Sequence, residues 1–238
     1  MCMTSAPDPD VTLRTLLPQP ECCQTLWNAL ACDPVTGVQV VREDGLLLFM
    51  NRQAAELFFG QGTSPEEHVG RNVRDYVQPG IIEERLAFLH AIAAEGRSRT
   101  VRSVYHGKQL LSTAHPFQAT IGTTETFFLV ITHHVEGDVR PMMQRAGERP
   151  LLEARANQLG ALSTLSPREL EVLALIAEGL SLPEISRRLH RSVHTINDHR
   201  KAIGRKLGVD DRVRLAELAR AAGLTTEDAR RPRIPRSD

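Results

Sequence analysis

The sequence predicts two domains, an α+β domain with an antiparallel sheet and flanking helices, followed by an all-α domain of four helices. The chain has 238 residues, more than the roughly 100–150 that one core usually holds. Strand-length apolar segments lie between Val38 and His133, whereas apolar residues recur at helical spacing after Ser166. Charge divides similarly, with 15 Lys and Arg against 11 Asp and Glu from Ala161 onward, although the whole chain has 29 of each. This asymmetry favours an anionic partner for the second domain.

The expected organisation has five segments. They are a mobile N-terminal segment at 1–20, the α+β domain at 21–136, a partly helical linker at 137–160, the helical domain at 161–226 and a flexible tail at 227–238. The apolar periodicity from Leu151 to Leu159 suggests where the linker is helical. No apolar run approaches the roughly 20 residues of a membrane span, and the N-terminus lacks the pattern of a secretory signal. We therefore expect a cytoplasmic protein.

The predicted elements of the α+β domain follow from local patterns. A short amphipathic helix covers Glu21 to Ala31, and Asp44-Gly45 turns a hairpin whose return strand is Leu46 to Met50. Asn51 can cap a helix that ends at Gly60, and Gly96 ends a helical stretch from Ile81 to Ala94. Three more strands are expected at Thr100–Tyr105, Gln109–Phe117 and Thr126–His133.

All four cysteines lie in the opening segment, at Cys2, Cys22, Cys23 and Cys32. Four thiols could take part in redox chemistry or bind a metal, but the paired C-x-x-C spacing is missing. The alternative is that they serve as small apolar residues of the first helix. We predict no metal site there.

Capping signals divide the second domain into helices. Ser166 precedes Glu169 by three residues with Pro167 between them, and Ser181 with Glu184 repeats this capping box. His190 and Arg191 form a turn, after which Ser192 can cap a third helix that ends at Gly208. Asp211 can cap a fourth helix, Arg212 to Ala222. The two short helices joined by a tight turn predict a helix-turn-helix.

The third helix has one apolar and one polar side. Ile196, Ile203 and Leu207 share a face, which leaves a polar face that spans about 16 Å at 1.5 Å per residue. Such a helix fits a major groove about 12 Å wide. The residues expected to read base edges are His194, Asn197, Asp198 and Lys201, and those expected to bind phosphates are Arg188, Arg191, Arg200, Arg205 and Lys206.

Two alternatives stay open for this face. It can be a solvated basic surface, with Asp198 as an intrahelical partner of Lys201. On the fourth helix, the apolar residues exceed what three short helices can cover, which suggests a dimer contact through Val213, Leu215 and Leu218.

The helical domain closely resembles the LuxR/NarL-type helix-turn-helix. The resemblance rests on LSPRELEVLALIAEGLSLPEISRRL, on Thr195, Ile196 and His199, and on the ending Arg205-Lys206-Leu207-Gly208. It implies a bacterial transcription regulator that binds double-stranded DNA as a homodimer, with RNA polymerase as a further partner. Many members have a lysine directly after the position of Ile196, where this chain has Asn197. The preferred operator should therefore differ.

The α+β domain resembles PAS domains. The segment GVQVVREDGLLLFMNRQAAELFFG carries this resemblance, which implies a sensing or dimerising role and leaves room for a small-molecule ligand. GRNVRDYVQ is similar to the flavin motif of blue-light sensors, but Val73 stands where those have the reactive cysteine. His90 lies off the haem-ligand position of oxygen sensors, and His133 and His134 face opposite sides of a strand. We assign no cofactor.

The sequence favours a sequence-specific DNA-binding transcription regulator. The alternative is a signalling adaptor that acts through protein contacts of the PAS-like domain, with little specific DNA binding. An enzyme is not expected, because the chain has no G-x-x-x-x-G-K, H-E-x-x-H or G-x-S-x-G motif.

Overall fold

The computed structural model describes residues 21–121, 123–145 and 151–234. Six strands form one sheet in the order β2-β1-β5-β4-β3-β6. The strands are β1 (Gly37–Arg42), β2 (Leu47–Met50), β3 (Arg99–Tyr105), β4 (Lys108–Ile121), β5 (Thr123–His134) and β6 (Leu152–Glu153). Strand β1 is antiparallel to both β2 and β5, as expected of the predicted α+β fold.

The described residues form eight α-helices. They are α1 (Glu21–Ala31), α2 (Arg52–Phe59), α3 (Pro79–Glu95), α4 (Arg140–Arg145), α5 (Pro167–Ala177), α6 (Leu182–Leu189), α7 (Val193–Leu207) and α8 (Arg212–Ala221). Helices α5 to α8 form the predicted four-helix domain. No helix in the described part of the chain is long and apolar enough to cross a membrane.

The chain divides into two compact units. The α+β unit contains the described residues up to Val101 together with Leu111–His133, and the helical unit contains Arg102–Leu110 and the described residues from His134 onward. Strands β3, β4 and β5 are therefore each shared between the units. This division differs from the expected boundaries, because a hairpin segment of the sheet is grouped with the helices.

In the α+β unit, Asn51 joins β1 to α2. Its Oδ1 accepts hydrogen bonds from Ala54 N at 2.8 Å and Val38 N at 2.9 Å, while its Nδ2 donates to Thr36 O at 2.8 Å. The buried amide thus caps the helix and continues the strand, and its predicted capping role is confirmed.

Adjacent residues of β5 serve opposite faces of the sheet. Phe127 packs in a cluster with Val40 and Trp27, so helix α1 covers one face. Phe128 packs with Ile92 of α3 on the other face. Both phenylalanines are almost completely buried, as the two-residue period of a strand requires when both faces are covered.

The helical unit has its own core around α5. Helix α5 packs against α7 and α8, and α6 packs against α7. Leu170, Leu173 and Ile176 are buried there together with Val104 of β3 and Leu159. The core therefore extends beyond the four helices to include segments that precede them.

Four expectations need correction. The tail expected to be flexible from residue 227 is ordered at its start, because Asp228 and Ala229 are buried and Asp228–Arg230 forms a 3-10 helix. The segment Leu151–Leu159 is not helical: Leu152–Glu153 is a strand, Ala154 N donates to Arg102 O at 2.9 Å, and the helical part of the linker is α4. Strands β4 and β5 are longer than expected and extend to Ile121 and from Thr123. Residue Leu215, expected at a dimer contact, is buried, as described below.

Of the four cysteines, the structure describes the side chain of Cys32 alone. Cys2 lies outside the described residues, as do the side chains of Cys22 and Cys23, and Cys32 is a free, exposed thiol. Among the described residues, no group of three His, Cys, Asp or Glu side chains could hold a metal ion.

Candidate nucleic-acid interface

The turn between α6 and α7 is tied to both helices. His190 ends α6 in the left-handed conformation, at φ 51°. Arg191 N then donates to Ser186 O at 3.0 Å, and Ser186 Oγ donates to Arg191 O at 2.6 Å. Ser192 caps α7 by accepting a hydrogen bond from Thr195 N at 3.1 Å. The angle between the two short helices is therefore fixed by local hydrogen bonds, as a helix-turn-helix requires.

Helix α7 buries one side and exposes the other. Ile196 and Ile203 are 0% exposed, whereas the side chain of His194 is 87% exposed and that of Asp198 56%. The predicted division of this helix into an apolar and a polar side is confirmed. Its polar side is consequently accessible to a ligand as large as a nucleic-acid duplex.

Gly204 lets α7 pack closely on the chain that follows it. A Cβ at this position would lie 2.7 Å from the Val209 carbonyl oxygen, a backbone atom that cannot move alone. Gly208 then ends the helix in the left-handed conformation, at φ 65°. The turn after α7 thus requires a residue without a side chain at position 204.

We expect Gly204→Ala to lower the free energy of unfolding by about 1–3 kcal/mol, because the added methyl overlaps backbone. Alanine normally stabilises a helix relative to glycine by about 1 kcal/mol. At Gly204 we expect the opposite change in the free energy of unfolding. Ala202→Gly on the same helix is the control, and there the glycine variant should be less stable than the parent, as helix propensity predicts. Chemical denaturation of both variants checks this, and a Gly204→Ala protein more stable than the parent would contradict the packing described.

The four predicted base-reading residues lie along the exposed side of α7. His194 Nε2 lies 3.4 Å from Asp198 Oδ2, one helical turn away. Asn197 is half-buried and Lys201 is exposed. The partner of Asp198 is therefore His194 rather than the Lys201 considered from the sequence, and the pair places a donor and an acceptor side by side.

The five predicted phosphate-binding residues differ in their present contacts. Arg205 is exposed, and Arg191 Nη1 donates to the neighbouring His190 O at 3.1 Å. Arg188 Nη1 lies 3.9 Å from Glu178 Oε2, a loose surface pair. Arg200 Nη2 donates to Asp210 O at 2.6 Å, so it also holds the turn after α7. A phosphate would compete with only weak contacts at Arg188 and Arg191.

Lys206 is engaged more firmly than the other four. Its Nζ lies 2.7 Å from Glu169 Oε2, and the same carboxylate oxygen accepts from Ser166 N at 2.6 Å. Burial would raise the pKa of Glu169, but the Lys206 ammonium and the Ser166 hydrogen bonds outweigh it and lower that pKa. Lys206 therefore joins α7 to the capping box of α5, a role that sequence reasoning missed because it joins residues 37 positions apart.

The predicted dimer contact on α8 is reduced to two residues. Leu215 is 0% exposed and packs in the core against α5, so it is unavailable to a second chain. Val213 is 61% exposed and Leu218 39%. The apolar residues of α8 do not by themselves show which of them the core around α5 buries, so the spacing could not exclude Leu215.

The exposed side of α7 adjoins an open polar groove. It is lined by Asp198, Arg200, Lys201, Gly204, Arg205 and Asp210. Three of these six residues are cations. Such a surface can follow a phosphate backbone beside the reading edge.

A four-helix domain with this tied turn and this exposed cationic helix is a helix-turn-helix DNA-binding domain, and we call the helical unit that contains it the DNA-binding unit. Residues 163–219 match the family described as "Bacterial regulatory proteins, luxR family". Residues 163–219 therefore form a LuxR-type helix-turn-helix domain.

Two kinds of curated relatives match a part of the chain of the same length. The transcriptional regulatory protein RcsB of Escherichia coli (strain K12) is 41% identical over 64 residues. The oxygen regulatory protein NreC of Staphylococcus aureus (strain JH9) is 42% identical over 64 residues. Each match covers 27% of this chain and 30% of the relative, so the chain spans less than a third of the curated relatives it matches.

Two solved structures are similar to this chain at low identity and low TM-score. A Vibrio cholera VqmA–ligand–DNA complex is 18% identical, with 87% of this chain and 93% of that chain covered and a TM-score of 0.43. A PAS domain from Colwellia psychrerythraea is 17% identical, with 48% and 98% covered and a TM-score of 0.38.

Proposed function

We propose that this protein is a sequence-specific transcription regulator that binds double-stranded DNA as a homodimer in the bacterial cytoplasm. The polar side of α7 enters the major groove, and the PAS-like unit senses a signal or dimerises. The observation that carries the proposal is the division of α7, which buries Ile196 and Ile203 and exposes His194, Asp198 and Lys201. A helix held in this way presents only its reading side to a duplex.

Roles within the interface follow from side-chain chemistry. Asn197 can pair with adenine N6 and N7, Lys201 can donate to guanine O6 or N7, and Asp198 can accept from cytosine N4. The His194 ring beside Asp198 moderates the repulsion between that carboxylate and nearby phosphates. Arg188, Arg191, Arg200 and Arg205 bind phosphates and position the helix. Lys206 contributes mainly by holding α7 on α5.

The proposed homodimer uses the exposed part of α8. Val213 and Leu218 are large apolar side chains that water would otherwise contact, and both lie outside the core of the unit. Two copies of this surface would bring two α7 helices to successive half-sites of an operator.

Salt dependence tests the phosphate contacts. We expect Arg205→Ala to weaken binding to all duplexes alike and to reduce the slope of log K against log salt by about 0.9, since one phosphate contact is lost. Fluorescence anisotropy of the full chain with labelled duplex, from low to moderate salt, measures this.

Arg52→Ala removes the same charge from an exposed side chain of α2, and it is the matched control. It should leave the slope unchanged. A slope that is the same for Arg205→Ala and the parent would exclude Arg205 from the phosphate contacts. Binding without any salt dependence would contradict the proposed function and favour an adaptor that acts through protein contacts.

A further inference from the structure

The C-terminal end of α8 is held by residues from far earlier in the DNA-binding unit. The last carbonyl groups of a helix have no intrahelical partner and need one from elsewhere. Two of these carbonyl oxygens have partners from elsewhere: Ala221 O lies 3.1 Å from His134 Nε2, and Arg220 O, which already accepts from Gly223 N, also accepts from Gly137 N at 2.8 Å. Gly223 O, two residues past the helix, accepts from Arg102 Nη2 at 2.7 Å. The end of the proposed dimer helix therefore depends on residues of β3 and on the exit of β5.

Arg102 occupies a fixed position because its charge is buried. Its side chain is 3% exposed, and its guanidinium binds Asp228 Oδ2 at 2.8 Å and Glu153 Oε2 at 2.9 Å. Burial would lower the pKa of Arg102, but Asp228 and Glu153 outweigh it, so the pKa is raised and the charge is kept. A buried charge that loses its partners costs several kcal/mol, so Arg102 cannot drift between intermediate positions.

Gln109 connects Arg102 with the exit of β5. The fully buried Gln109 accepts a hydrogen bond from Arg102 Nε and donates to Val135 O and Gly137 O, each at 2.8 Å. A Cβ on Gly223 would overlap the Gln109 amide, so the chain after α8 fits closely against this side chain. We call Arg102, Gln109, His134 and Gly137 the α8 clamp.

Three of the four clamp residues, Arg102, Gln109 and His134, stand on strands that belong to both units. Residues Arg99–Val101 of β3, and β4 from Leu111, lie in the α+β unit, whereas Arg102 and Gln109 lie in the DNA-binding unit. Strand β5 likewise changes unit between His133 and His134. Because β3, β4 and β5 each continue across this division, a shift of one of them in the α+β unit would displace the clamp residue that it carries.

We propose that the α8 clamp is a conformational switch through which the PAS-like unit controls the end of α8. A shift of β3, β4 or β5 within the α+β unit moves Arg102, Gln109 or His134 and breaks their hydrogen bonds to the end of α8 and to Gly223 O, which follows it. The end of α8 is then ordered or frayed according to the state of the sensor. The effect on DNA affinity rests on the proposed function, whereas the effect on α8 itself does not.

Amide hydrogen exchange of the full chain tests the clamp directly. Arg102→Lys keeps the charge but loses the planar guanidinium group, whose several N–H donors reach Asp228, Glu153 and Gly223 O at once. We expect exchange of Gly137 and of the last turn of α8 to become at least about tenfold faster, with α7 unchanged. Arg99→Lys on the same strand, where the arginine pairs with Glu95 instead, is the control and should leave α8 unchanged. Equal exchange of α8 in the two variants would overturn the proposal.

Binding of DNA tests the direction of coupling, because linkage between two sites is reciprocal. Saturating operator duplex should slow exchange in peptides that cover Arg99–Val101 and Leu111–Thr113 by about three- to tenfold, and Arg102→Lys should abolish that response. Unchanged exchange on DNA binding by the parent would overturn the switch. A parent that binds no specific DNA would refute the proposed function alone, since the comparison of Arg102→Lys with Arg99→Lys then decides whether the clamp exists.

Discussion

Replacement of Asp228 by alanine is expected to lower the free energy of unfolding of the DNA-binding unit by about 3–5 kcal/mol. Asp228 is fully buried and accepts hydrogen bonds from Arg102 Nη2 at 2.8 Å, Thr225 N at 2.9 Å and Asn157 Nδ2 at 3.2 Å. Its loss leaves the Arg102 guanidinium with Glu153 as its carboxylate partner. Chemical denaturation of the full chain, followed through the helical signal, measures the change.

Glu227→Ala is the control for this prediction, because it removes a carboxylate from the adjacent residue. Glu227 is 67% exposed and lies 3.4 Å from Arg140, so its loss should cost less than about 1 kcal/mol. Similar stabilities of the two variants would show that the buried pair does not hold the unit together.

Acid titration gives an independent check of the same pair. Burial would raise the pKa of Asp228, but the hydrogen bonds and charge of Arg102, together with Thr225, lower it below the ordinary value. The stability that Asp228 contributes is therefore complete above its unfolded pKa of about 3.9 and is lost as the pH falls through the lower folded pKa. Asp228→Asn should be less stable at neutral pH and should lose less stability below about pH 4.

The second large effect is expected from Asn197→Ala combined with Lys201→Ala. We expect the operator affinity of the full chain to fall by about 2–5 kcal/mol, at least about thirtyfold, since each side chain contributes about 1–3 kcal/mol to base recognition. Binding to random duplex should fall less, because phosphates supply most of that affinity. The fold should persist, since neither side chain belongs to the buried core.

The matched control changes an amide and a cation on a helix of the α+β unit. Arg52 and Gln53 stand at the start of α2, with the Arg52 side chain 80% exposed. Arg52→Ala with Gln53→Ala should leave operator affinity within about twofold of the parent. If both double variants bind the operator as the parent does, α7 does not read bases.

The helix boundaries could be predicted because capping is local. The Ser166–Glu169 and Ser181–Glu184 boxes are both formed in the structure, and Asp211 caps α8 through Val213 N and Arg214 N. Each signal lies within four residues of the backbone groups it satisfies, so no tertiary contact is needed to interpret it. The same locality explains the correct prediction of the α2 cap at Asn51.

Contacts between distant residues could not be predicted in this way. The apolar spacing of Leu151–Leu159 is compatible with a helix, but Ala154 and Gln158 donate instead to Arg102 O and Val104 O. Likewise, Arg102 and Asp228 are 126 positions apart, and neither has a neighbour in sequence that suggests an ion pair. The location of Leu215 in the core depended on how closely α5 packs against α8.

The buried and exposed sides of α7 could be predicted from the sequence, but the partners of its charged side chains could not. Seven-residue spacing of Ile196 and Ile203 is enough to predict which side of α7 is buried. The choice of Glu169 as the partner of Lys206, and of His194 as the partner of Asp198, depends on rotamers and on a neighbouring helix. The sequence therefore indicates which residues face outward, and the structure shows which of them already have a partner.

Selection of bound duplexes from a random pool tests the central claim most directly. The full chain should enrich one motif, and Asn197→Ala should enrich the same motif with the preference at a single base pair relaxed. Recovery of the pool unchanged, or of identical motifs from both proteins, would contradict the assignment of α7 as the helix that reads the DNA.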